Sequence, residues 1–142
     1  MPAEAEKTVG RNPLWLKQVW FAGCHSDVGG SYPEPESRLS DIALQWMLEE
    51  LKECIPEAQI NYDMLYLYPD AKGMQHEEAY IFKCGPFERR WPSKPREVHP
   101  GFPLHSSVLD RLGAKKVSHV GELKPYRPVQ LKDHPGAKEF YE

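Results

Sequence analysis

The sequence predicts an α/β fold, on three observations. Residues 19–22, VWFA, are apolar at every position. That is the pattern of a strand covered on both faces, as in a parallel sheet. Residues 40–55 carry apolar side chains at helical spacing, and Pro56 stops the run. Residues 79–83, AYIFK, return to strand character. Apolar strand alternating with amphipathic helix is how α/β domains bury a sheet.

The bulk properties narrow the class. The chain has 142 residues, the length of one domain. A formal net charge of −3 gives no electrostatic case for nucleic acid as partner. No stretch approaches 18 consecutive apolar residues, so no membrane span is expected. The N-terminal MPAEAEKTVGRNP is polar and acidic, unlike a secretory signal. Cys24, Cys54 and Cys84 are odd in number and sparse, as in a cytoplasmic chain with reduced thiols. Their equal spacing of 30 is not a repeat, because the flanks AGCHS, KECIP and FKCGP share nothing. Leu, Ile, Val and Phe total only 30 residues, and eight of the 14 prolines lie beyond residue 85. A thin core and a loop-rich second half follow.

Each element has its own local reason. Residues 1–13 are expected to be loose. The strand at 14–22 ends at Gly23. Residues 31–39, with Pro33 and Pro35, form a loop. The helix then starts at Ser40 as N-cap, with Asp41 favouring the positive end of the dipole. Ala43, Leu44, Met47, Leu48, Leu51, Cys54 and Ile55 share one broad face, while Ile42 and Trp46 lie off it. Residues 57–75 fit either a strand or a helical turn. Residues 85–103 read as a proline-punctuated loop. HSSVLDRLG forms a short helix capped by Ser106 or Ser107 and stopped at Gly113. Residues 126–131 are extended.

The turn after the first strand, GCHSDVGG, concentrates reactive groups. Ligands of open parallel sheets bind just past the carboxyl ends of strands, and residues 23–30 occupy such an end. Asp27 there can accept a hydrogen bond from an imidazole, fix its tautomer and stabilise the imidazolium. Gly29 and Gly30 permit positive φ and close backbone approach. The structural alternative is that Asp27 and Ser26 satisfy turn amides.

VWFAGCHSDVGG-YP followed by LSDIALQWM resembles the α/β-hydrolase family that includes the phospholipase effectors of bacterial type VI secretion. The similarity continues in order through GMQHEE at 73–78, LHSSVLDRL at 104–112 and YRPVQL at 126–131. It implies a Ser-Asp-His hydrolase acting on lipid acyl esters, with no cofactor. The triad in that fold comes in the chain order Ser, then Asp or Glu, then His. The resemblance places the acid at Asp27 and the histidine at His105, with His76 open as the alternative. His25 becomes a positioning group for the turn, supported by Ser26, Gly29 and Gly30.

This chain departs from the family in one decisive respect. No G-x-S-x-G occurs, and the glycine-rich oxyanion segment is absent too. Only 26 residues precede Asp27. The expected architecture is therefore a partial α/β-hydrolase fold, the C-terminal half of a mostly parallel sheet with flanking helices, over residues 14–142. Such a chain is expected to be inactive alone, with the upstream half of the domain as its partner. Cys24 is a poorly placed substitute nucleophile, three residues from the acid on one turn. Ser31 stands where the family has a third glycine and is strained by roughly 1–2 kcal/mol if φ is positive there.

Two rival classes stay open. His25 and Asp27 with His76, His99 or His105 could form a metal-binding domain, although no H-E-x-x-H or C-x-x-C is present. A non-catalytic binding or assembly module could use Arg89, Arg90, Lys94 and Arg96 around Trp91 against phosphates. The bland reading of that stretch is a solvated loop.

Overall fold

A computed structural model describes residues 16–77, 81–90 and 95–142. Gly23 breaks the extended segment because its φ is +123°, a conformation that favours glycine. The chain turns at once into α1 (His25–Gly29). Asp27 is the third residue of this short helix, and its Oδ2 reaches back to accept from Cys24 N at 3.0 Å. Gly30 and Ser31 then take φ of +84° and +121°. A single 3₁₀ turn, Glu34–Glu36, leads directly into α2 (Arg38–Cys54). The helix thus begins with Ser37 as N-cap, and Ser40 sits in its first turn, bonding Ser37 O at 2.9 Å.

The buried side of α2 is not the broad stripe. Leu39, Ile42 and Ala43 are buried, and Trp46 meets Phe21 edge-on at 5.5 Å. Leu44, Met47, Leu51 and Ile55 are exposed instead. Ala43 at one edge of the stripe and the off-stripe Ile42 and Trp46 are covered, because the helix packs on the Phe21 and α1 segment through that side.

Residues 57–75 form neither a strand nor an α-helix and contain a 3₁₀ turn at Tyr62–Met64. An antiparallel hairpin follows, β1 (Ile81–Cys84) with β2 (Phe87–Arg90). Pro86 lies in the turn beside Gly85 (φ +58°), so it removes no ladder bond. Residues 79–80, part of the expected strand, lie outside the described residues. α3 (Ser106–Gly113) is capped by His105, not by a serine. A second hairpin, β3 (Val117–His119) with β4 (Glu122–Lys124), turns through Val120 (φ +50°) and Gly121 (φ +77°). Positive φ at both central residues is the type I′ geometry that matches strand twist. The expected extended run at 126–131 contains a 3₁₀ turn at Val129–Leu131.

The segment expected to be the first strand makes one parallel bridge, Trp20 to Leu104. Trp20 N donates to Pro103 O and His105 N donates to Trp20 O, both at 2.9 Å. Ala22 at its end enters the main core with Val108, Leu112, Leu131 and Ala137. Val98, Leu104, Leu109, Tyr126, Phe140 and Tyr141 pack around that cluster.

Ser31 confirms the strain expected of a serine in a glycine position. At φ +121° a side chain costs about 1–3 kcal/mol, against about 0.5–1 kcal/mol for the looser unfolded chain of a glycine variant. Ser31→Gly is expected to raise stability by about 1 kcal/mol in urea denaturation. A loss of stability would show that this backbone is relaxed with serine in place.

Candidate active site

Asp27 is 2 % exposed, and three donors converge on its carboxylate. Cys24 N and His76 N each reach Oδ2 at 3.0 Å, and His76 Nδ1 reaches Oδ1 at 2.7 Å. A carboxylate can only accept, so Nδ1 carries the proton of that bond. The other ring nitrogen, Nε2, faces a second carboxylate, Glu36 Oε2 at 3.3 Å, to which it can bond only as a donor. Tyr32 lies flat on the imidazole, with ring centroids 3.6 Å apart and planes 17° from parallel. Its hydroxyl lies 3.7 Å from Cys24 Sγ.

Asp27 is brought to this place by its own turn. A side chain on Gly23 would overlap the Cβ of Asp27, so glycine is required there by space as well as by φ. Gly30 has positive φ, whereas Gly29 does not and has open space around it. Only one of that glycine pair is demanded by conformation.

His76 is brought by a longer route. Asp70 opens a turn in which its Oδ1 accepts from Lys72 N at 2.8 Å and its carbonyl from Gly73 N at 3.0 Å. Gly73 lets this turn touch α2, because a Cβ there would overlap that of Arg38. The segment before it is tied to α2 by Asp41, buried, whose Oδ2 accepts from Tyr68 N at 3.0 Å. The next residues run beside β3: Gln75 forms a parallel bridge with His119, and Gln75 N donates to Ser118 O at 3.1 Å.

Arg111 of α3 holds the whole arrangement from below. It is fully buried, and its guanidinium donates to Ala71 O at 2.7 Å, Gly73 O at 2.8 Å and Ser118 O at 2.7 Å. Burial pulls its pKa below the ordinary arginine value, opposed by Tyr126, Asp27 and Asp70. The Tyr126 ring lies 5.1 Å from the guanidinium carbon, and burial pushes its phenol up to about 12. A neutral aromatic face there suits a buried cation.

The structure does not bring His105 to Asp27. His105 Nδ1 accepts from Ser107 N at 3.2 Å and contacts Ser107 Oγ at 2.8 Å, while its ring stacks on Phe21 at 4.6 Å. The physical reason is that a histidine just before a helix is the nearest group to cap it. Burial holds its pKa below the ordinary value. His25 is exposed at the first position of α1, and Ser26 contributes its carbonyl to Gly30 N at 3.0 Å. Burial also pushes the Cys24 thiol up, away from the thiolate form a nucleophile needs.

The histidines of the metal reading are dispersed. His99 Nδ1 accepts from Gly101 N at 3.0 Å, and Asp27 is engaged with amides and His76. Among the described residues, no group of three or more His, Cys, Asp or Glu is arranged to hold a metal ion. Trp91 and Lys94 of the basic stretch lie outside the described residues. Among the described residues, no helix is long and apolar enough to cross a membrane.

Residues 2–50 match the family described as T6SS, Phospholipase effector Tle1-like, catalytic domain. The matched stretch includes Asp27 and most of α2 and ends before His76. No curated protein and no solved structure matches the chain.

Proposed function

We propose that this chain carries the acid and histidine of a serine-type phospholipase site, with His76 in the role expected of His105. The 2.7 Å contact between Asp27 Oδ1 and His76 Nδ1 carries this reading. Asp27 orients the ring and stabilises the imidazolium. His76 Nε2 takes the proton of an attacking hydroxyl and returns it to the leaving alcohol. Glu36 stands where that hydroxyl would approach, so it yields its place when the nucleophile arrives. Lipid acyl esters are the substrate class, in keeping with the phospholipase match over residues 2–50. The fold in this reading is the later half of an α/β-hydrolase sheet; the described strands form two antiparallel hairpins, and Trp20 makes one isolated parallel bridge to Leu104.

The nucleophile must come from outside these residues, because they contain no G-x-S-x-G. A triad without its nucleophile loses on the order of a million-fold in turnover. The purified chain is expected to hydrolyse neither p-nitrophenyl butyrate nor phospholipid micelles above the buffer rate. Co-expression with the G-x-S-x-G-bearing half of a related phospholipase domain is expected to restore hydrolysis. Ester hydrolysis by the chain alone, lost on Asp27→Ala, would refute the need for a second half. Co-purified halves with no activity would refute the hydrolase assignment.

A further inference from the structure

An imidazole that acts as a base must keep both nitrogens where they are needed. Two hydrogen bonds to Asp27 fix the backbone and Nδ1 of His76. They oppose only weakly a tilt of the ring plane about the Cβ–Cγ bond. That rotation would carry Nε2 away from the site and weaken the Nδ1 contact.

Resting on the hydrolase reading above, we infer that Tyr32 is the positioning residue that removes this freedom. The phenol ring covers one face of the imidazole at 3.6 Å and 17°, so any turn of the ring drives it into the tyrosine. The backbone around Tyr32 is built for the purpose. Ser31 is held at φ +121°, and the chain bends at Tyr32. Pro33, at φ −57°, restricts Tyr32 to extended conformations. The Tyr32 hydroxyl rests beside Cys24 Sγ, whose backbone N–H is bonded to Asp27. The acid, its turn and the clamp on the histidine are therefore one local unit. Strain stored at Ser31 is the cost of aiming Tyr32 at a residue 44 positions further along the chain.

The test is the rate at which diethyl pyrocarbonate carbethoxylates each histidine at pH 7, read by peptide mass spectrometry. In Tyr32→Phe the stack survives, and His76 is expected to react within about twofold of wild type. In Tyr32→Ala and Tyr32→Leu the ring is released, and His76 is expected to react about tenfold faster, the change that loss of an aromatic stack allows. His25, exposed in α1, serves as the internal reference and keeps its rate in all variants. Tyr32→Leu keeps a large apolar side chain in the space and covers the case in which Tyr32→Ala does not fold. Equal His76 rates in wild type and Tyr32→Leu would overturn the inference, as would a Tyr32→Phe variant as reactive as Tyr32→Leu. Since no ester is cleaved in this experiment, it succeeds or fails apart from the hydrolase assignment. An inactive pair of halves with a Tyr32-dependent His76 would sink that assignment and leave the clamp standing.

Discussion

Under the proposed function, His76→Gln is expected to lower kcat of the chain co-expressed with a nucleophile-bearing half by between about 10⁴-fold and 10⁶-fold, while His105→Asn leaves kcat within about threefold. The contrast follows from what each ring touches. His76 offers Nδ1 to a carboxylate that is 2 % exposed and turns Nε2 toward Glu36 Oε2. Gln cannot accept and release a proton in that position. His105 instead uses Nδ1 to accept from Ser107 N at the start of α3. Asparagine is among the best residues for that capping role, so the helix survives the exchange. His105→Ala, lacking an acceptor, is expected to cost about 1 kcal/mol of stability and still leave kcat near wild type. Measured kcat for the variants, each co-expressed with the nucleophile-bearing half, decides the matter. A dead His105→Asn with an active His76→Gln would return the catalytic role to His105.

Arg111→Met is expected to destabilise the chain by about 3–5 kcal/mol, the largest stability effect of any single substitution considered. The guanidinium makes three short bonds to main-chain carbonyls of half-buried residues, and Arg111 itself is fully buried. Methionine fills most of the volume but leaves Ala71 O, Gly73 O and Ser118 O without that donor. Hydrogen bonds to a charged group are worth about 1.5–3 kcal/mol each, and part of the loss is recovered by relieving burial of the cation. Domains of this size are stable by only about 5–15 kcal/mol, so the variant sits near unfolding. Arg111→Lys keeps the charge without the planar fork and is expected to fall between the two. Urea denaturation of the three proteins checks the order. A shift under about 1 kcal/mol for Arg111→Met would show that the segment carrying His76 holds itself in place.

The acid side of the site was legible in the sequence because it is local. Cys24, Asp27 and the glycines around them lie within one turn, and the HSDVGG text marks it. The start of α2 was legible to within a few residues, and its end at Pro56 was set by the missing amide of proline. The buried face of α2 was misread for a physical reason. Helical spacing shows which residues share a face, but Leu44, Met47, Leu51 and Ile55 share one that is exposed among the described residues. The β3–β4 hairpin gave little warning, since Val120 is a poor residue for positive φ and hides the turn beside Gly121. Tyr32, Glu36 and Arg111 were missed altogether. Each acts on groups distant in sequence, and no local pattern signals that.

What the sequence determined alone was the chemistry available: an aspartate on a glycine-flanked turn, the family likeness over residues 2–50, and the lack of a G-x-S-x-G nucleophile within the chain. Short-range forces suffice for this, because turn sterics, helix capping and residue identity all act within a few positions. Tertiary structure alone decided which histidine meets Asp27. That choice rests on contacts between segments 49 residues apart, on Gly73 against α2 and on Arg111 beneath the turn. Such contacts form only when the chain closes long loops, and the energy that selects His76 over His105 resides in the packing, not in either residue's neighbourhood.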